Sequence, residues 1–203
     1  MKKPNRQRLT IQTAATIKPI TVQELKKQLE IAPEEPSHNT HLEMLIDGAI
    51  EELERDTGIC LAQTVYDWTI DHFYSDVIRL PVRPASAVTY IKYYDGGEVQ
   101  QTLAATEYDF IHDRQGANPG YPEIELKWDK YWPFTHGRHD AVTIRFVAGY
   151  GSTSEEIPAI HKQALLLLCT ARFEHRGEAT TSNSKHLVAY ESLITKYLRT
   201  SYP

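Results

Sequence analysis

The chain has 203 residues, of which 22 are Lys or Arg and 27 are Asp or Glu, so its formal net charge is −5. A chain of this length buries roughly 70% of the surface of its unfolded form and needs neither disulfides nor a metal to fold. The composition excludes a disordered or collagen-like chain, and no apolar run approaches the roughly 18 residues of a membrane-spanning helix.

Charge is distributed unevenly over the first part of the chain. Residues 1–20 carry five basic side chains and no acid, whereas residues 21–60 carry ten acids and three bases. The first segment lacks a periodic apolar stripe and contains Pro4 and Pro19, so it cannot bury enough surface to offset the entropy of ordering. We therefore expect residues 1–20 to form a flexible basic arm without a secretory signal, because no apolar stretch follows the basic start.

Helical periodicity begins at Thr21. Thr21 and Glu24 have the spacing of a capping box and predict a helix over 21–31. A second helix is predicted over 38–57, because apolar side chains recur on one helix face and Gly58 follows at the usual C-terminal position. The other face of this second helix is acidic and carries Glu43, Asp47, Glu51, Glu52 and Glu54.

Between residues 62 and 148 the period of the apolar pattern falls to two, as in half-buried strands. Tyr66, Trp68 and Ile70 alternate with polar residues. The Asp95-Gly96-Gly97 sequence is a strong hairpin signal. We expect six or seven short, mostly antiparallel strands here.

Helical periodicity returns at Ile157, and Pro158 suits the start of a helix because its missing N–H is not needed there. Helices are predicted over 157–176 and 186–198. Two helices, a β block and two more helices predict an α+β fold, in which the four helices form one core and the β block is an inserted lobe. The expected division is an arm at 1–20, a helical core at 21–60 and 151–203, and a β insertion at 61–150.

No set of residues completes a catalytic or metal site. His136 and His139 are close in sequence, but zinc needs three or four ligands and no other Cys or His lies nearby. The segment Gly149–Thr153 lies between a strand and a helix but lacks the Lys of a Walker loop and the third Gly of a dinucleotide loop. Cys60 and Cys169 fit a reducing compartment, where thiols stay free. We predict no catalysis, no metal and no cofactor.

The aromatic composition leaves several functions open. The chain has 12 Tyr and 3 Trp but only 5 Phe. Tyr and Trp are typical of surfaces that bind protein or sugar, and they are equally typical of ordinary strands. A carbohydrate-binding or hydrolytic β module with helical flanks is therefore one alternative, and a small binding protein without an assembly role is another.

Five stretches of the sequence follow one another in a characteristic order. They are TVQELK from Thr21; LIDGAIEELERDTG from Leu45, with Gln63-Thr64 after it; LPVRP from Leu80, with VTYI from Val88; VAGYG from Val147; and IPAI from Ile157, which leads through ALLLL to Glu174-His175-Arg176. In this order and spacing they resemble the head–tail connector (adaptor, or head-completion) proteins of long-tailed phages, in the version with a β insertion. The resemblance spans almost the whole chain, but the arm before Thr21 and the THGRHD loop at 135–140 depart from it.

The resemblance implies a non-enzymatic structural protein of the virion. It implies a ring of about twelve identical subunits, bound beneath the capsid portal, that extends the DNA channel and receives the next tail-side protein. The expected partners are further copies of the chain, the portal protein, a stopper or tail-completion protein, and double-stranded DNA that passes without sequence-specific binding. The expected location is the neck of the virion, with assembly in the host cytoplasm.

Two sets of residues are candidates for roles in such a ring. An acidic channel wall holds DNA weakly, because DNA binding requires neutralised phosphates, and a merely solvated helix face has the same composition. The candidate channel-facing residues are Glu43, Asp47, Glu51 and Glu54. Near the C-terminus, Arg199 and Tyr202 are residue types favoured as interface anchors. Both chain ends are expected to dock onto the portal or an adjacent subunit.

Overall fold

The computed structural model describes residues 6–112, 119–175 and 185–195. These residues belong to two compact units. The β unit contains the described residues of 1–16, 63–115 and 119–150, and the helical unit contains those of 17–62 and 151–203. The α+β fold predicted from the sequence is confirmed, with four helices and two antiparallel sheets.

The helical unit contains the four predicted helices and a short 3-10 turn at Ser154–Glu156. The helices are α1 (Val22–Gln28), α2 (Asn39–Thr57), α3 (Ala159–Glu174) and α4 (Lys185–Ile194). Helix α3 packs against the other three, and α1 also packs against α2. Helix α1 ends earlier than predicted, at residue 28 instead of 31, and the predicted end of α4 at 198 lies outside the described residues.

Local sequence signals account for the ends of α1 and α2. The Thr21 hydroxyl accepts the Glu24 N–H at 3.1 Å, and the Glu24 carboxylate accepts the Thr21 N–H at 2.6 Å, which completes the capping box. Gly58 adopts φ 66° at the C-terminus of α2 and donates its N–H to Glu54 O. A left-handed residue at this position favours Gly, because a Cβ would crowd the backbone. The apolar stripe of α2 is buried, with Leu42, Ile46 and Leu53 almost inaccessible to solvent.

The β unit contains a five-stranded sheet and a three-stranded sheet. Their strands are β1 (Gln7–Thr13), β2 (Thr64–Ile70), β3 (Val77–Arg79), β4 (Ala85–Tyr94), β5 (Gln100–Leu103), β6 (Tyr108–Ile111), β7 (Glu123–Leu126) and β8 (Val142–Ala148). The larger sheet has the order β1-β2-β8-β4-β5 and the smaller one the order β3-β7-β6. All named strand pairs are antiparallel, as the alternating pattern predicted.

Alternation places the two faces of the central strands in different environments. In β2 and β8 every second residue is buried, and Tyr66 stacks on Phe146 with ring centroids 5.5 Å apart. On the other face Asp67 lies opposite Arg145 and accepts two hydrogen bonds from it, each 2.7 Å long. Such a bidentate pair fixes the register of the two strands as well as joining them.

The prediction of a flexible arm is wrong for residues 7–13, which form strand β1. This strand pairs with β2 from Gln7 opposite Ile70 to Thr13 opposite Val65, with an irregularity between Ile11 and Thr13. All seven of its residues are exposed. The apolar stripe that the prediction required is not needed, because a strand ladder is built from backbone groups that nearly every residue carries.

Candidate functional site

The acidic face of α2 is only partly as predicted. Glu43, Asp47 and Glu51 are exposed and recur every four residues, which aligns them on one helix face. Asp47 is paired with Lys18, whose Nζ lies 2.5 Å from Oδ1. The three carboxylates therefore form an exposed acidic row in which the central one is compensated by a basic side chain.

Glu54 is placed differently from the other three. Its Oε1 accepts the N–H of Leu61 at 2.7 Å, so the side chain satisfies the backbone that follows α2. Burial raises the pKa of Glu54 to about 7, against the opposing effect of the Leu61 hydrogen bond. A half-buried carboxyl that is partly neutral near pH 7 contributes little to an acidic wall.

The THGRHD loop does not bring its two histidines together. His136 Nε2 lies 3.1 Å from Oε1 of Glu98, whereas His139 Nδ1 lies 3.1 Å from Oδ2 of Asp71. Within 6–112, 119–175 and 185–195, no group of three or more Cys, His, Asp and Glu side chains is arranged to hold a metal. Each histidine instead joins the loop to another segment of the β unit.

Asp71 anchors this loop through its contacts with His139 and Asp140. Its carboxylate accepts the N–H of Asp140 at 3.0 Å and the N–H of Arg6 at 3.2 Å, in addition to the contact with His139. Burial alone would raise the pKa of Asp71, but these hydrogen bonds together outweigh it and lower the pKa. Asp71 thus connects the start of β1 to the loop before β8, a long-range contact that sequence spacing does not reveal.

The Gly149–Thr153 segment has no free anion site. The Glu156 carboxylate accepts the N–H groups of Ser152 and Thr153, both at 2.9 Å, and the Thr153 hydroxyl at 3.0 Å. A side chain of the same protein thus occupies the position that a phosphate takes in a binding loop. An added Cβ at Gly151 would overlap the Glu156 carboxylate, so a larger residue there would displace this carboxylate from its hydrogen bonds. The segment is a strand-to-helix turn, as its sequence favoured.

The feature that the sequence analysis missed is a loop between β7 and β8. We call residues 127–134 the aromatic loop. Trp128, Tyr131 and Phe134 are 91%, 86% and 81% exposed, the three highest values among the large exposed hydrophobic residues of the described chain. The sequence signal was the density of aromatic residues over 128–134, but the sequence alone does not distinguish a buried aromatic from an exposed one.

The aromatic loop is anchored at its base. Trp132 Nε1 donates to Ser75 O at 2.8 Å, and the indole stacks on Phe73 with ring centroids 4.5 Å apart and an interplanar angle of 10°. Lys130 Nζ lies 3.1 Å from a carboxylate oxygen of Glu107. Beside the loop is a cavity of 770 Å³ whose lining includes Phe73, Trp132 and Phe134. The anchors hold the exposed rings on a fixed support.

Arg199 and Tyr202, the predicted interface residues near the C-terminus, lie outside the described residues. Cys60 and Cys169 are buried, and neither forms a disulfide. In the part of the chain that the structure describes, none of the helices combines the length and apolar character needed to cross a membrane.

Comparison with protein families gives one match. Residues 19–108 match the family described as "Phage gp6-like head-tail connector protein". The resemblance to head–tail connector proteins that the sequence motifs indicated is thereby confirmed for this part of the chain. No curated protein matches the chain in sequence.

Among solved structures, the chain is similar to components of gene transfer agent (GTA) particles. A chain from the virion of a native GTA particle aligns with a TM-score of 0.78 and 22% identity, covering 96% of this chain and 97% of the other. A chain from the neck of an empty GTA particle, computed with C6 symmetry, aligns with a TM-score of 0.78 and 21% identity, covering 97% of both chains. A chain from the neck of a native GTA particle, computed with C12 symmetry, aligns with a TM-score of 0.72 and 20% identity, again covering 97% of both chains. The likeness shows that the fold is shared along nearly the whole length.

Proposed function

We propose that this chain is a structural subunit of the neck ring that joins the head of a phage-like particle to its tail. The observation that carries the proposal is the match of residues 19–108 to the head–tail connector family. The fold shared with chains of GTA necks over 97% of the length supports it, because it extends the likeness to the β insertion and the C-terminal helices. The chain acts in this role by shape and contact, without catalysis.

We infer a ring of about twelve copies. The symmetries with which the similar GTA necks were computed, C6 and C12, are both compatible with twelve subunits. A closed ring requires two different complementary surfaces on each subunit, one for each neighbour. The remaining surfaces would contact the portal above the ring and the tail-side stopper or tail-completion protein below it. Arg199 and Tyr202, near the end of the chain, are our candidates for docking onto the portal or an adjacent subunit.

The exposed acidic row of α2 is our candidate for the channel wall. Glu43 and Glu51 would face passing double-stranded DNA and repel its phosphates, so that the ring guides DNA without retaining it. Glu54, bonded to Leu61 N–H, has no part in this wall. The ring would assemble in the host cytoplasm and remain in the neck of the virion.

Assembly and complementation test the proposed function. Native mass spectrometry of the purified chain should give a species of about twelve times the 23.2-kDa subunit mass. Heads assembled without the chain should remain tailless, and addition of the purified chain should restore tailed particles. A chain that neither forms a ring nor restores tails would reject the proposal.

A charge reversal tests the channel wall. The double variant E43K/E51K should make the ring bind short duplex DNA at least about tenfold more tightly at low salt, and the gain should shrink as salt rises. The matched control is E155K/E191K, which makes the same charge change at two other exposed positions of the helical unit. Equal DNA binding by both variants would show that net charge alone acts and would remove the channel assignment.

A further inference from the structure

We propose that the aromatic loop of one subunit docks on strand β1 of the next subunit and so forms one of the contacts that close the ring. The inference rests on the proposed ring function and identifies the two surfaces that meet. Both surfaces lie within the β unit, and each exposes apolar side chains.

The first of the two surfaces is the aromatic loop, in which Trp128, Tyr131 and Phe134 are almost completely exposed. Buried aromatic side chains each remove about 150–250 Å² from solvent, so three together supply roughly 450–750 Å². A standard specific interface buries about 800 Å² on each partner. The loop alone thus approaches the area that one side of a stable contact needs, and its aromatic composition is that of interface anchors.

The second surface is the edge of the five-stranded sheet that strand β1 forms. In the sheet order β1 is terminal, so among the described strands its backbone pairs with β2 alone. Leu9 and Ile11 lie opposite Trp68 and Tyr66 and extend the apolar face of the sheet beyond those two buried rings. They are 41% and 56% exposed. An edge strand that exposes two apolar side chains offers another chain both backbone groups and apolar surface.

The positions of the two surfaces favour contact between copies. The Phe134 ring lies beside Gly96, where a Cβ would be 3.5 Å from its Cδ1, and His136 N–H donates to Tyr94 O at 2.8 Å. The Phe134 end of the loop is therefore fixed against the turn between β4 and β5, on the side of the sheet opposite to β1. A head-to-tail contact requires two different, complementary surfaces on each subunit.

Surface variants test the contact without disturbing the core. The triple variant W128S/Y131S/F134S and the double variant L9T/I11T should each keep the wild-type melting temperature, because the substituted side chains are exposed and Thr suits a strand. Each should raise the subunit concentration needed for half-maximal ring formation at least about tenfold. The control V188S changes an exposed apolar residue of α4, which is 55% exposed, and should leave ring formation unchanged.

Cross-linking tests the pairing directly. In an I11C/Y131C double variant, mild oxidation should link subunits in series and give a ladder of covalent oligomers up to the full ring. The single variants should give nothing larger than a dimer, since Cys60 and Cys169 are buried. A double variant that forms rings yet gives no ladder would overturn the proposed pairing.

The outcomes separate this inference from the proposed function. If the wild type and the triple variant form rings equally well, the docking inference is wrong and the ring function stands. If the triple variant forms rings but no longer restores tailed particles, the loop binds a different neck protein, which also overturns the inference. If the wild type is monomeric in solution but restores tails, the same variants are tested for restoring tails on particles. Normal restoration by the triple variant would then overturn the docking inference. A wild type that does neither rejects the proposed function itself.

Discussion

The helical unit and the β unit differ in the apolar surface that they expose. The helical unit buries polar side chains and uses them to secure backbone: the Lys26 ammonium donates to Pro33 O at 3.0 Å and to Glu35 O at 2.6 Å, and Glu54 accepts Leu61 N–H. The β unit also secures backbone, through buried Asp71, but it leaves its edge strand and its aromatic loop in solvent. The difference indicates that substitutions in the first unit affect stability, whereas substitutions on the surface of the second affect assembly.

The largest effect on stability is expected from the apolar core of the helical unit. Leu53 is fully buried on α2, so Leu53→Ala should lower the free energy of unfolding by about 2–5 kcal/mol through lost burial and the cavity left behind. Chemical denaturation measures the change. Met44→Ala on the same helix is the control, because Met44 is 67% exposed and should cost less than about 0.5 kcal/mol. Similar losses for both variants would contradict the burial seen here.

The next largest loss of stability is expected from replacing Lys26, whose ammonium group is buried. Lys26→Met keeps a side chain of similar length but leaves the carbonyls of Pro33 and Glu35 without this donor, so we expect a loss of about 1–3 kcal/mol. Lys27→Met is the matched control, because Lys27 is the exposed neighbour on the same helix. If the two variants unfold at the same denaturant concentration, the Lys26 contacts do not stabilise the loop after α1.

The raised pKa of Glu54 should be visible in the pH dependence of the free energy of unfolding. Because burial raises its folded-state pKa from the ordinary 4.5 to about 7, the unfolded chain releases this proton first as pH rises. The contribution of Glu54 to stability is therefore full below about pH 4.5 and is lost as pH rises towards 7, with a slope of at most about 1.4 kcal/mol per pH unit.

Glu54→Gln keeps an oxygen that can accept Leu61 N–H but does not titrate. The stability of the variant relative to the wild type should therefore increase between about pH 4.5 and pH 7, as measured by urea denaturation at a series of pH values. Glu43→Gln, an exposed position on the same helix, should follow the wild-type profile. A constant difference between E54Q and the wild type across this range would disprove the raised pKa.

The smallest effect is expected in the β unit. Asp67→Asn removes the charge of the bidentate pair with Arg145 on the partly exposed face of the sheet, and should cost about 0.5–1 kcal/mol. Glu123→Gln is the control, because it weakens the more exposed pair with Arg79 and should cost less. Melting curves at low and high salt compare the two. A loss above about 2 kcal/mol for D67N would contradict the contrast between the units, since this partly exposed pair would then stabilise the protein as much as the buried contacts do.

The sequence predicted the elements of both units well, because their signals are local. The Thr21–Glu24 capping box, the stripe of α2 and the Gly58 stop each depend on residues within a few positions of one another. The turn at Asp95 follows the same rule: its carboxylate accepts the N–H groups of Gly97 at 2.9 Å and Val99 at 3.0 Å, and β4 pairs with β5 as the hairpin signal predicted.

The predictions that failed or were incomplete concern contacts that reach beyond one or two turns of a helix or a single strand. Strand β1 is joined to β2 through backbone atoms that carry no sequence signature, and Asp71 binds Arg6 and Asp140, which are 65 and 69 positions away. Glu54 has the helical position of an outward-facing acid, yet the chain after α2 returns and provides it with Leu61 N–H. Lys26 is buried by the same kind of local return of the chain.

The sequence by itself therefore determined the class of fold, the order of helices and strands, and the resemblance to head–tail connector proteins. Periodicity, caps and turn residues are set by residues within a few positions of one another. Such local patterns are sufficient to predict the fold class and the order of helices and strands. Only the tertiary structure decided which charged groups are buried, that the first strand is an edge, and that three aromatic side chains are exposed on an anchored loop. Burial and exposure depend on which distant segments pack together, and no local pattern of residues specifies that.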